Sequence, residues 1–340
     1  MRRKAVTILL LAATGLAGWV FYSYSRMKKP IPDEDAARTY AGELFQKVGM
    51  GHLYGTWEEE WLDLPDRRLA LYHFKSQSED PVLVFVPGTS VYALLYTWFM
   101  HEMRMRGFNV VGFDPRGHGM SSGPRGVYTL GQLLEDALAV VDHTVSLYGE
   151  RVAVAGSSQG GMVAFYCAAS DTRLKAAVCH NVIAPDEPDN ERMTRWPALF
   201  RPMIPLLPAL RPLMASPLGR LMVPVALYLD LKNEPSRIIP DVVGFLKEDP
   251  LAVNAVSLGA FLSLACTPLA RKVEEIRVPV MIVHGGRDNI FPEDYVRRVY
   301  ERLACEKEFL LLPEKPHLVM TDYVDEIVPP IAAWLKKMME

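Results

Sequence analysis

The stretch RVAVAGSSQGGMVAFYCAA (residues 151–169) decides how the rest of the chain is read. Its first six residues form an apolar run that closes on Gly156, the pattern of a strand buried on both faces. Residues 160–169 are small and apolar and read as a helix. Between them lies G-x-S-x-G, and the match fixes the register. Only Ser158 has Gly two residues before it (Gly156) and two after it (Gly160). The glycines are needed because a residue presented on so tight a strand-to-helix turn is strained, and bulky neighbours would clash. Ser157 lacks that frame and reads as a small filler of the crowded turn.

Working outward, the same rhythm recurs. Apolar runs at 81–88, 108–114, 174–182, 278–286 and 307–313 read as strands. Helical patterns follow at 94–106, 130–147, 292–303 and within 322–338. Strands without polar alternation, each followed by a helix, predict a mostly parallel sheet covered by helices on both faces. Ahead of it, 33–48 reads as a helix behind a capping Asp33. Residues 57–61 and 68–74 read as two strands across the turn Leu64-Pro65-Asp66-Arg67. The rhythm fails at 185–270, a stretch rich in proline, leucine and methionine, which is read as an inserted helical cap. The resulting division is 30–184 and 271–340 for the two parts of the core, 185–270 for the cap, and 1–29 for a separate N-terminal segment.

That N-terminal segment starts with basic residues 1–4 and continues uncharged over 5–24, about the ~20 residues a helix needs to cross a bilayer. Trp19, Tyr22 and Tyr24 lie at its far end, where interfacial aromatics belong, and Arg26, Lys28 and Lys29 follow. The pattern predicts an N-terminal transmembrane helix and a membrane-anchored, single-pass protein. The alternative is export after signal-peptide cleavage near Gly15-Leu16-Ala17. Basic residues on both flanks leave the orientation open.

Open parallel sheets place their chemistry at the carboxyl ends of the strands. Those ends carry Gly88-Thr89-Ser90, Asp114-Pro-Arg-Gly-His-Gly, the Ser158 turn, Arg287-Asp288 and Lys315-Pro316-His317. A serine hydroxyl needs a base to take its proton, and the base needs an acid to hold its tautomer. Three histidines follow Ser158. His180 and His284 lie within apolar runs and read as buried and neutral, whereas His317 lies in a loop after the last strand. Asp288 is the expected acid, with Asp186 as the alternative. The backbone N–H groups of Gln159 and Thr89, with Ser90 as the fallback for the second, are the expected oxyanion donors. Arg116 and His118 read as residues that shape their loop.

These pieces resemble the α/β-hydrolase superfamily over residues 56–340, through FVPGTS, FDPRGHGMSSG, AGSSQGG, HGGRDNIFP and PHLVM. D-x-R-G-H-G-x-S with a helical cap is similar to the monoacylglycerol lipase and esterase branch. The resemblance implies Ser158, Asp288 and His317 as a catalytic triad acting without metal or cofactor. One departure is Pro87-Gly88, where many members have His-Gly. Relatives with Asp at the nucleophile position, the haloalkane dehalogenases and epoxide hydrolases, are set aside by the serine. Hydrolysis of carboxylic esters through an acyl-enzyme is the expected chemistry. Thioester or amide cleavage, peptidase activity and a non-catalytic binding role stay open. The apolar cap suits a small lipid-like or other apolar ester.

Bulk properties exclude other classes. The 340 residues are 50 % hydrophobic with a net charge of -3, and no basic tract points to nucleic acid. Cys167, Cys179, Cys266 and Cys305 are scattered without C-x-x-C spacing; most sit in apolar surroundings and read as small buried hydrophobes, and nothing in the spacing points to a disulfide. HExxH, HxxEH and paired Cys/His spacings are absent from the sequence, so no metal is expected.

Overall fold

The structure is a computed structural model that describes residues 33–340, with residues 14, 15, 17–19, 21, 22 and 25 ahead of them. Strands β1 (Glu58–Leu64) and β2 (Arg67–Phe74) form the hairpin expected from Pro65-Asp66. They are followed by β3 (Val82–Val86), β4 (Asn109–Phe113), β5 (Val152–Ser157) and β6 (Ala177–His180). After a two-stranded ribbon, β7 (Met222–Pro224) with β8 (Ala255–Ser257), come β9 (Val280–Gly285) and β10 (Lys307–Leu312). The main sheet has eight strands in the order β1-β2-β4-β3-β5-β6-β9-β10. It is parallel from β4 to β10, and β2 lies antiparallel to both its neighbours.

Helices α1 (Glu34–Lys47), α2 (Thr97–Met105), α3 (Leu130–Tyr148) and α4 (Gln159–Ser170) cover the first part of the sheet. Local chemistry starts them where the sequence indicates. The Asp33 carboxylate caps α1 by accepting the Ala36 N–H, and Thr129 with Gln132 forms a reciprocal capping box on α3. Between β6 and β9 lie five short helices, α5 (Pro197–Phe200), α6 (Leu207–Met214), α7 (Val225–Tyr228), α8 (Val242–Glu248) and α9 (Leu258–Cys266), besides the ribbon. Then come α10 (Glu293–Arg302), α11 (Val319–Asp322) and α12 (Val324–Met339).

The pleat sorts each strand between two cores. Val82, Val84 and Val86 of β3 face a core shared with α3, α4 and α10, while Leu83 and Phe85 face one shared with α1, α2 and α12. Both faces are therefore dry, which is why these strands show no polar alternation.

One expectation is adjusted. The 185–270 segment is not purely helical, because β7 and β8 pair within it; strands of three residues carry no readable period. The transmembrane reading of 1–29 falls mostly outside the described residues. Among the described residues no helix is long and apolar enough to cross a membrane. Of that segment, Trp19 is described: its indole N–H donates to the Met222 carbonyl at 2.7 Å.

Candidate active site

Ser158 stands between the end of β5 and the start of α4 with φ +54° and ψ −117°. Close backbone approach holds it there. A Cβ on Gly156 would lie 2.1 Å from the Gly160 carbonyl oxygen, and one on Gly160 would lie 2.1 Å from that of Val86. The Ser158 N–H donates to the His180 carbonyl at 2.9 Å, and its own carbonyl accepts the Met162 N–H at 3.0 Å. The glycine frame is thus a packing requirement between β3, β5 and α4.

The loops after β9 and β10 bring Asp288 and His317 together, with Nδ1–H of His317 donating to Asp288 Oδ2 at 2.8 Å. The other oxygen, Oδ1, accepts the Ile290 and Phe291 N–H groups at 2.8 Å each. Burial disfavours the Asp288 charge, but the charge and N–H of His317 and the Phe291 N–H outweigh it and hold the carboxyl well below its ordinary range. For His317 burial disfavours the imidazolium, and the adjoining Asp288 carboxylate more than restores it, so its pKa is raised. The Phe291 ring stacks on the imidazole at 5.7 Å and 5°. With Nδ1 committed to the carboxylate, Nε2 keeps its lone pair.

A residue that sequence reasoning passed over connects these parts. Asn181, fully buried at φ +69°, follows β6. Its Nδ2 donates to Asp288 Oδ2 at 2.9 Å and lies 3.2 Å from His180 Nε2, and its Oδ1 accepts Nδ1–H of His284 at 2.7 Å. An ionised carboxylate only accepts, so Asp288 fixes the amide orientation, and the amide's second hydrogen makes His180 Nε2 an acceptor. His180 Nδ1 lies 3.1 Å from Ser157 Oγ and 3.3 Å from the Ser158 backbone nitrogen. Burial keeps both His180 and His284 below their ordinary pKa and neutral. Ser157 is therefore more than filler: it ends a chain of buried polar groups that begins at the Asp288 carboxylate.

Thr89, Ser158 and Gln159 line one cavity of about 170 Å³. The Gly88 N–H is taken by the Tyr96 hydroxyl at 3.3 Å. The N–H groups of Thr89 and Gln159 have no acceptor among the described residues. Ser90, the fallback donor, does not line the cavity; its carbonyl accepts the Val253 N–H at 2.9 Å and ties this loop to the inserted segment. Ser158 Oγ makes no hydrogen bond among the described residues.

The remaining walls are mostly apolar, with Met193, Phe200, Leu207 and Phe261 from the inserted segment and Phe291 from the Asp288 loop. The polar exceptions are Asn190, Glu191 and Thr194. Asp186, the alternative acid, is instead held in a surface ion pair by Arg302 at 2.6 Å. Arg116 binds the buried Asp136 carboxylate through Nε and Nη2, and the His118 ring packs 4.9 Å from that of Tyr128, so both shape their loop. Donor atoms of His180, Asp288 and His317 lie within 4.8 Å of one another, but the hydrogen bonds above account for that closeness.

Known proteins share the family and the fold. The family described as serine aminopeptidase, S33, matches residues 77–323. The AB hydrolase superfamily protein YisY of Bacillus subtilis is 27 % identical over 64 % of this chain and 78 % of its own length. A monoacylglycerol lipase of Mycolicibacterium smegmatis is 25 % identical over 78 % of this chain and 92 % of its own. The crystal structure of a monoacylglycerol lipase from Paleococcus ferrophilus superposes with a TM-score of 0.63, at 25 % identity, over 79 % of this chain and 99 % of that one. The chain belongs to the serine aminopeptidase S33 family, within the α/β-hydrolase superfamily, and resembles the monoacylglycerol lipase and esterase branch of it.

Proposed function

We propose that this hydrolase cleaves carboxylic esters with apolar acyl groups, through an acyl-enzyme on Ser158. The serine attacks the acyl carbon as its proton passes to Nε2 of His317, and Asp288 stabilises the imidazolium. The oxyanion meets the N–H groups of Thr89 and Gln159; one such donor is commonly worth ~10²–10³ in kcat. His317 then gives the proton to the departing alcohol, and water activated by the same imidazole releases the acid. One observation carries the reading: the strained Ser158 opens, with two unengaged amides, onto an apolar cavity.

The cavity walls favour a lipid-like acyl chain, and the relatives named as monoacylglycerol lipases favour a monoester of a polyol. The 185–270 segment acts as the cap that roofs the acyl site. Residues 1–29 anchor the protein to a membrane, on the strength of their sequence pattern; loss of the protein from carbonate-washed membranes on their deletion is the expected result, and retention would refute it.

The test of the chemistry is fluorophosphonate labelling together with turnover of a short-chain p-nitrophenyl ester. Ser158→Ala should abolish labelling and lower kcat by about 10⁶. Labelling of that variant at the wild-type rate would refute the proposal. An aminopeptidase reading is favoured by one feature, the buried Glu191 Oε2, which has no partner and belongs to a cavity-lining residue. Against it, Glu191 Oε1 is already paired with Arg201 at 2.7 Å. Faster turnover of an aminoacyl anilide than of the matched ester would select that reading.

A further inference from the structure

Residue Glu234 lies 76 positions beyond the nucleophile in sequence yet beside the base, and no part of the chemistry above uses it. It closes the short turn Leu231–Asn233 of the inserted segment and is 4 % exposed. Its Oε1 accepts the Leu318 N–H at 3.3 Å, so it grips the loop that carries His317. Its Oε2 is buried with no hydrogen-bond partner. A buried, half-satisfied carboxyl is expensive to keep unless it has a task, because the unpaired oxygen retains its full desolvation cost.

The chain around it is tied down on both sides. The Asn289 amide donates to the Asp230 carbonyl at 3.3 Å, next to the acid loop. Ser236 Oγ donates to Asp322 Oδ1 at 3.3 Å, and Arg237 Nη1 to the Asp322 carbonyl at 3.3 Å, next to the base loop. Residues 230–237 thus form a strap across the Asp288 and His317 loops, with Glu234 at its middle.

We infer that Glu234 is a positioning residue through which the inserted segment prepares the base: it fixes the His317 loop by its backbone and adds a second carboxylate, besides Asp288, to the surroundings of the imidazole. The inference rests on the esterase reading proposed above. Seating of the strap and readiness of His317 are then one event, so an enzyme whose cap segment has lifted also has a weaker base.

The electrostatics agree. Burial pushes the Glu234 carboxyl up to about 7, against the opposing pull of His317 and of the N–H groups of residues 317 and 318. The charged groups around the strap are His317 and Asp288 from the two loops, Asp322 from α11, Arg195, which pairs with Asp230 at 3.9 Å, and Asp230, Lys232 and Arg237 on the strap itself. Arg237 is turned to Asp322 and to the Tyr323 ring, 5.2 Å away, and Lys315 to the same ring, 4.3 Å away, so neither neutralises Glu234 by direct contact. Neighbouring His180 is neutral.

The experiment is the rate of fluorophosphonate labelling of the full-length protein from pH 5 to 9, for wild type, Glu234→Gln and Glu234→Leu, with Ser158→Ala alongside. As Glu234 ionises, around pH 7, it favours the imidazolium; without it His317 loses its proton at lower pH. The acid limb should therefore move to lower pH by about half a unit to one unit in Glu234→Gln, with a plateau rate lower by about three- to tenfold. Glu234→Leu, which replaces the buried acid with an apolar side chain of similar size, should move the limb likewise and gives the answer if the glutamine variant does not fold. Glu234→Asp should bring the limb part of the way back. A merely structural residue would lower the melting temperature and leave the limb in place; an unmoved limb in a folded variant overturns the inference. If Ser158→Ala is unlabelled while the limb stays put, only the role of Glu234 fails. If Ser158→Ala is still labelled, the hydrolase reading fails and the inference with it.

Discussion

The polar chain behind the triad can be tested at its junction, Asn181. Replacing Asn181 with alanine removes the donor to Asp288 Oδ2 and the acceptor of His284 Nδ1–H. A hydrogen bond to a charged group contributes ~1.5–3 kcal/mol, and an orphaned buried donor costs ~1–3 kcal/mol. The backbone cost is common to both residues, since asparagine already carries a Cβ at φ +69°. The losses overlap, and about 4 kcal/mol is a central value. At ~2.1 cal/mol/K per residue of unfolding entropy, that lowers the melting temperature of a chain this long by about 6 °C. Three of the four donors to Asp288 remain, so its charge survives, but its orientation toward His317 loosens. Labelling should slow by about ten- to a hundredfold, the rate equivalent of one charged hydrogen bond. Asn181→Gly separates the contributions: it relieves the backbone, recovering ~1 kcal/mol of stability, but recovers none of the rate. Differential scanning fluorimetry and fluorophosphonate labelling read the two quantities. An alanine variant that labels within twofold of wild type and melts within a degree of it would refute the reasoning.

Two further outcomes test the surroundings of the site. Gly160→Ala forces a Cβ to within 2.1 Å of the Val86 carbonyl and 2.5 Å of that of Pro87, both backbone atoms, so β3 and the Thr89 loop must shift. Labelling should fall by at least about a hundredfold, since displacing a donor by an ångström costs that order, and a fully active variant would refute the packing argument. His118 is buried and neutral: burial lowers its pKa from 6.5 to about 4, and its Nε2 has no partner. The unfolded chain binds this proton first, so the His118 contribution is intact above pH 6.5 and is lost as pH falls toward 4. Asp114, pushed up to about 6 by burial, works in the opposite sense over much of this range, so total stability would hide the effect. The difference in unfolding free energy between wild type and His118→Gln isolates it. That difference should shrink by up to about 3 kcal/mol between pH 7 and pH 4 in denaturant titrations. A pH-independent difference would show that His118 is not held neutral.

The elbow was legible because its requirements are local: a β-rich run, two glycines at fixed offsets and a helix of small residues. Asp288 and His317 were legible because each is delivered directly by the end of a strand run. Ser157 was misread because its partner lies on another strand. The parallel register sets Ser157 opposite His180, 23 residues away, and no spacing rule exposes that. Asn181 is a single polar residue at the end of an apolar run, and its role exists only where the ends of β6 and β9 converge. Glu234 lies in a proline-rich segment without periodicity, and its place beside His317 depends on contacts at both ends of the strap.

Backbone strain is concentrated at the carboxyl ends of the central strands. Outside glycine, the described residues with positive φ are Ser90, Ser158, Asn181 and Asp189. The first three follow β3, β5 and β6, which are adjacent in the sheet. Each such conformation costs of order 1–3 kcal/mol, and a chain selected for stability alone would place glycine there. Here the side chains are kept, and two have a visible use: the hydroxyl of Ser158 lines the cavity and the amide of Asn181 binds Asp288. Ser90 has no such use, for its buried Oγ has no partner. The strain at Ser158 and Asn181 therefore places polar side chains that glycine cannot supply, whereas at Ser90 the backbone alone, through its bond to Val253, accounts for the conformation.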